Sequence, residues 1–268
     1  MTDVIRPIPK SKGFFNSRIK YYPTSDGGRK PVEVCAFSEP VYNPDHLESV
    51  DPKKGKKSIA DFETEDGETN RCSDYAIRRA RRRLYDLVSC NPECNMMVTF
   101  TLNGEAFPRD DWKKIIPRLN TWLDNMTRRH GLKYVLVPEF HLDGKSIHFH
   151  GFVNENALRL SRAINPHTEK PLFQKGRAVY NVENWRYGFT TAVRVGKSER
   201  DQEYAARYVL KYITKGQEKI GGRYYLHGGE LREPIFEYFN SDFEQLREGW
   251  QEFAVTEKLT CKVRKITG

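Results

Sequence analysis

The chain has 268 residues, 38% hydrophobic and 30% charged, enough for one large domain or a domain with appendages. Its 45 basic and 36 acidic side chains leave a formal charge of +9, which favours an anionic partner, nucleic acid first. No apolar run approaches the roughly 18 residues of a membrane span, and the first residues lack a signal peptide's apolar stretch. The five cysteines form an odd, scattered set, which argues against a disulfide framework and for the cytoplasm.

Residues 1–70 are rich in Pro, Gly, Lys and acidic residues, with one short β-like run at Val32–Phe37. Within them, Asp51–Asn70 lacks periodic apolar residues and reads as a linker or mobile loop. A helix is predicted from a Ser73 cap to about Ser89. It carries Arg78, Arg79, Arg81, Arg82 and Arg83, a cluster that suits phosphate contacts and equally suits a solvated basic face. A strand follows over Asn95–Leu102, then a helix from about Arg109 to His130 that Pro117 is expected to break or kink. Cys90 and Cys94 have no second pair at zinc-finger spacing and read as structural.

Leu132–Leu142 and Lys145–Val153 read as two strands joined at Asp143-Gly144. After a long polar connection come a strand at Thr190–Val195, a helix at Asp201–Lys215 and a possible hairpin strand at Arg223–Leu226. An amphipathic segment over Phe236–Phe253 reads as a helical tail. Strand–helix–strand–strand–helix order predicts an α+β fold, a central antiparallel β-sheet with flanking helices on one side.

Asp-Gly between alternating runs signals a two-residue hairpin turn. That register sets Phe140 against Ile147 and Glu139 against His148. Alternation then gathers Glu139, His141, His148 and His150 on one face, with Phe140, Leu142, Ile147 and Phe149 on the other. Opposed Cβ atoms lie roughly 5 Å apart, so Glu139, His148 and His150 are candidate metal ligands. A carboxylate with two imidazoles leaves positions open on Mg2+ or Mn2+ for a phosphate oxygen, and imidazole suits zinc as well. A solvated strand face is the plainer alternative.

In Glu203–Gly216, Tyr204, Tyr208 and Tyr212 recur every four residues and line one helical face. Lys211 and Lys215 each follow a tyrosine by three, placing an ammonium one turn from each phenol. A phenol with a pKa near 10 needs such a cation, or a metal-polarised electrophile, to attack phosphorus. Tyr204 reads as packing. Tyr208 and Tyr212, with Lys211 and Lys215, are candidate catalytic residues. Trp185, Tyr187 and Phe189 suit base stacking or core packing equally.

Together these segments resemble the HUH endonuclease superfamily, in particular the two-tyrosine rolling-circle replication initiators (Rep proteins) of single-stranded DNA phages and plasmids. His148-Phe149-His150 looks like the histidine–hydrophobic–histidine motif, and Glu139 stands where many members place a third ligand. Tyr208–Lys215 looks like the two-tyrosine motif, and Val98–Leu102 like the first, structural strand. The resemblance implies an HUH/RRM-like palm with the histidine strand central and the tyrosine helix across it. It also implies nicking and rejoining of single-stranded origin DNA through a 5′-phosphotyrosine, in a host cell, by this reading bacterial.

On this reading residues 71–235 are the endonuclease domain, 1–70 an N-terminal extension and 236–268 a C-terminal tail. Gly196-Lys197-Ser198 lacks the first glycine of a phosphate-binding loop, Thr191 standing in its place. No nucleotide cofactor is therefore expected, and a host helicase would unwind. A transposase or plasmid relaxase would use the same chemistry, whereas a non-enzymatic DNA-binding regulator would use the histidines as a structural metal site.

Overall fold

The computed structural model describes residues 6–7, 14–24, 26–42, 68–105, 109–196, 198–213, 219–246, 249–254 and 260–266. In chain order its elements are β1 (Arg6–Pro7), β2 (Phe14–Pro23), β3 (Arg29–Tyr42), α1 (Glu68–Cys90), β4 (Met96–Thr101) and α2 (Trp112–His130). β5 (Tyr134–Phe140), β6 (Ile147–Val153), β7 (Leu160–Arg162), β8 (Phe173–Gln174), β9 (Arg177–Val182) and β10 (Thr190–Arg194) follow. The chain ends with α3 (Glu199–Val209), β11 (Leu226–Gly228), β12 (Ile235–Asn240), β13 (Gln251–Ala254) and β14 (Thr260–Lys265). Most of the expected linker, residues 43–67, lies outside the described residues.

The chain divides into two compact units, residues 64–232 and a unit made from both chain ends, 1–63 with 233–268. The terminal unit is a six-stranded sheet in the order β1-β12-β2-β3-β14-β13, every pairing antiparallel. The expected helical tail is corrected here, because Phe236–Phe253 supplies strands β12 and β13. Its apolar residues alternate as Phe236, Tyr238 with Phe239 opposite, a period of two that an eighteen-residue helical reading averages away. Val32–Phe37 is only the middle of β3, and the N-terminal segment is a sheet partner of the C-terminal one.

The other unit carries an antiparallel sheet in the order β11-β5-β6-β4-β10-β9-β7, with β8 paired to β9. Helices cover both faces, where one side was expected. On one face α2 buries Ile115, Leu119, Trp122, Leu123 and Met126 against Phe100, Leu136 and Phe149. On the other, α1 and α3 bury Leu84, Leu87, Ala205, Ala206 and Val209 against Val135, Val137 and Phe152. The two faces follow from alternation along β4, β5 and β6, where neither side is purely polar. Among the described residues no helix is long and apolar enough to cross a membrane.

α2 runs unbroken through Pro117, which lies on its exposed side. Its buried stripe outweighs one missing backbone hydrogen bond. Asp111 caps its start by accepting from Lys113 N, and Gly131, at φ 65°, ends it with its N–H on Met126 O and Thr127 O. α1 begins at Glu68, five residues before the expected Ser73 cap. The polar connection between β6 and β10 holds three strands, too short and too polar for their alternation to stand out. Trp185 packs between Phe100 and Trp122 at 4.7 and 5.1 Å, and Tyr187 against it, so both serve the core; Phe189 is exposed. Cys90 and Cys94 are buried without a disulfide, and burial pushes the Cys94 thiol up to about 12.

Candidate active site

β5 and β6 pair in the expected register, with Phe140 opposite Ile147 and Glu139 opposite His148. The connection differs from a two-residue turn. His141 O accepts from Gly144 N at 2.8 Å, Gly144 takes a φ of 66°, and His141 pairs with Ser146 across four intervening residues. The Asp143 carboxylate accepts from Lys145 N and Ser146 N, both at 2.8 Å, and from the Ser146 hydroxyl. This local clamp holds its carboxyl far below the usual range and fixes the same register by another turn.

The histidines fall on the face shared with α1 and α3. His141, His148 and His150 stack in series, with ring centroids 4.7 and 6.1 Å apart. β4 supplies what the sequence alone did not reveal: Thr99 and Thr101 lie directly opposite His150 and His148. Their hydroxyls sit 3.0 and 3.1 Å from the two Nδ1 atoms. On the other side, His150 Nε2 is 3.0 Å from Glu139 Oε2. An ionised carboxylate only accepts, so here the proton is on Nε2 and Nδ1 accepts from Thr99.

Burial, with His148 and Lys211 nearby, lowers the His150 pKa to about 4. Burial and the neighbouring His141 likewise lower that of His148, while burial raises Glu139 despite Lys211 and His141. At neutral pH both imidazoles beside the tyrosines are therefore uncharged.

The tyrosine segment is only partly the regular helix expected. α3 ends at Val209, and Leu210–Tyr212 tightens into a 3-10 turn. Arg81 from α1 accounts for the change, donating from Nη1 to Leu210 O at 2.8 Å and to Ile213 O. It therefore serves as a cap and leaves the expected phosphate-binding cluster; Arg78, Arg79, Arg82 and Arg83 remain on the exposed side of α1. Arg81→Met is expected to leave two carbonyls unpaired, costing about 1–3 kcal/mol in urea unfolding. A far-ultraviolet spectrum unchanged from wild type alongside that loss would localise the effect to this cap.

The 3-10 turn lays Tyr212 flat on His150, with centroids 4.1 Å apart and planes within 2°. The Tyr212 hydroxyl donates to the Tyr208 hydroxyl at 2.9 Å, and Lys211 Nζ stands 3.9 Å from the Tyr208 ring centroid and 4.6 Å from that of Tyr212. Burial opposes ionisation of both phenols. For Tyr208 it is outweighed by the Tyr212 hydroxyl, Lys211 and Lys175, which hold this phenol below its ordinary value. For Tyr212 burial and its donation to Tyr208 add, and its phenol is pushed well up. Tyr204 is half exposed, so it does not pack on the sheet, and Lys215 lies outside the described residues.

Glu139, His148, His150, Tyr208, Tyr212 and Lys211 thus meet in one place. Among the described residues no group of three or more His, Cys, Asp or Glu side chains is arranged to hold a metal ion. Glu139 is instead hydrogen-bonded to the His150 nitrogen that an ion would need. The donor chemistry still fits a divalent cation, because a threonine hydroxyl both donates and accepts. Thr99 therefore supports His150 whether its proton sits on Nε2 or on Nδ1.

Residues 95–217 match a family model described as the replication-associated protein ORF2. That stretch, less than half of the chain, runs from β4 through the tyrosine segment and contains every residue of this constellation. The match supports a Rep-like protein of DNA replication, whose partner is DNA. No curated protein and no solved structure matches the chain.

Proposed function

We propose that this protein initiates rolling-circle replication by nicking and rejoining single-stranded origin DNA, using HUH-type chemistry with Tyr208 as the first nucleophile. The observation that carries the reading is the stacking of Tyr212 on His150 with its hydroxyl donated to Tyr208. That arrangement joins the two motifs into one site and leaves the more exposed phenol as the more acidic one. The Tyr208 oxygen forms the new bond to phosphorus, the P–O3′ bond breaks, and the phenol's proton passes to solvent while the departing oxygen takes one up. The 5′-phosphate stays on the tyrosine, and the free 3′-hydroxyl is the primer. Lys211, over both rings, faces the charge that develops during attack.

Glu139, His148 and His150 would hold Mg2+ or Mn2+, whose contribution when bound is to polarise the phosphate. Thr99 and Thr101 fix the imidazole rings by their Nδ1 atoms. Replacing either by valine, close in shape but without the hydroxyl, is expected to lower Mn2+ affinity about 10- to 100-fold in calorimetric titration, as for other supports of ligating histidines. Unchanged affinity in both variants would remove the metal assignment.

Tyr212 is the candidate for the second transfer, in which a tyrosine displaces the released strand's end and the circle closes. A host helicase remains part of this reading, since Ser198, in the tempting Gly-Lys-Ser stretch, simply caps α3 by accepting from Asp201 N. The test is incubation with single-stranded origin DNA and Mn2+, followed by a denaturing gel. A covalent protein–DNA band that needs Tyr208 is the expected result; no band on any candidate origin would overturn the reading.

A further inference from the structure

The β8–β9 hairpin lies in the stretch that the sequence presents as plain polar connection. Gln174 pairs with Arg177 across Lys175-Gly176, whose φ angles are 49° and 75°. This is the two-residue turn with both central residues left-handed, a position that asparagine and glycine fill with least strain. A lysine there is costly in backbone terms, and such outliers concentrate where function needs the side chain.

The hairpin is tied to the tyrosine helix. Arg177 Nη2 lies 3.1 Å from Asp201 Oδ1 in the first turn of α3, and Arg177 Nη1 donates to Arg194 O at 3.3 Å. Lys175, exposed at the tip, then comes near enough to Tyr208 for its charge to act on that phenol, a second cation beside Lys211. Two residues back, Phe173 is 64% exposed although the Arg162 guanidinium stands 4.8 Å from its ring centroid. An exposed aromatic backed by arginine next to a tip lysine combines base stacking with phosphate binding. The charge distribution agrees: residues 1–63 and 233–268 carry equal numbers of acidic and basic side chains, so the whole +9 surplus belongs to 64–232.

Resting on the nicking reading above, we propose that the β8–β9 hairpin holds the DNA strand at the cleavage site. Lys175 takes a backbone phosphate beside Tyr208, and Phe173 stacks on a base of the same strand. Neither residue belongs to the histidine or tyrosine motif.

The test is anisotropy of a labelled single-stranded oligothymidylate over a salt series, with Lys175→Asn, Lys175→Arg and Phe173→Ala compared with wild type. Asparagine suits the left-handed position, so a melting temperature at or above wild type separates its effect from folding. Lys175→Asn is expected to weaken binding about 3- to 10-fold and to lower the salt slope by about one, with Lys175→Arg restoring the slope. Phe173→Ala is expected to weaken binding at least about 5-fold with the slope unchanged.

In the adduct assay Lys175→Asn raises the DNA concentration needed for half-maximal rate more than it lowers the maximal rate. If both variants bind as wild type at every salt, or wild type does not bind, the proposal is overturned. If wild type binds as described yet forms no adduct, the hairpin site stands and the nicking reading falls.

Discussion

Tyr208→Phe is expected to abolish the covalent protein–DNA band, a loss of at least about a thousandfold, as for removal of an attacking group that acts within a set. The variant keeps the ring and loses only the oxygen, so the stacking of Tyr204, Tyr208 and Tyr212 survives. Tyr212→Phe should behave differently. Its ring still lies on His150, and the first cut proceeds, slowed by the missing hydrogen bond to the Tyr208 oxygen. Strand rejoining should then fall most, because no second phenol remains at the site. Equal loss of the first cut in both variants would remove the order of attack. A band that persists in the double Tyr208→Phe, Tyr212→Phe protein would remove the tyrosine mechanism altogether. An intact DNA-binding activity in that double variant with no cleavage by wild type would favour a binding regulator.

Much of the site was legible because it is local. The hairpin register follows from Asp143 and the alternation around it, and the spacing of Tyr208, Lys211 and Tyr212 follows from helical periodicity. What needed the fold was long-range pairing. Thr99 and Thr101 read as surface-facing strand residues until β4 is set beside β6, about fifty positions away, where they meet His150 and His148. Arg81 belongs to a run that looks like a phosphate patch, and only the packing of α1 on α3 turns it to the carbonyls of Leu210 and Ile213. The terminal sheet escaped for the same reason: β14 pairs with β3 across most of the chain. Helices on both faces escaped too, because β4, β5 and β6 bury apolar side chains in both directions and no sequence period assigns a helix to a side.

Gly151 carries the second large effect, and it too depends on that long-range geometry. It follows His150 in β6 and faces Leu136 on β5 and Val98 on β4. A Cβ placed there would stand 1.9 Å from Val135 O and 2.9 Å from Leu136 Cα. Both are backbone atoms of the adjacent strand, so no side-chain rotation relieves the clash. Either β5 is pushed off β6, or β6 rotates and carries His150 away from Glu139 and Thr99. Gly151→Ala is therefore expected to cost about 3 kcal/mol, the upper end for overpacking, and to lower the melting temperature by about 6–12 °C for a domain this size. Gly144→Asn is the control, since Gly144 has a φ of 66° with nothing within 4 Å of an added Cβ, and asparagine tolerates that conformation. The alanine variant should also lose the covalent adduct at temperatures where it remains folded, while Gly144→Asn keeps it. A Gly151→Ala protein with wild-type melting and wild-type cleavage would mean that β5 and β6 are not pressed together beside His150, and the geometry of the metal-binding face would have to be redrawn.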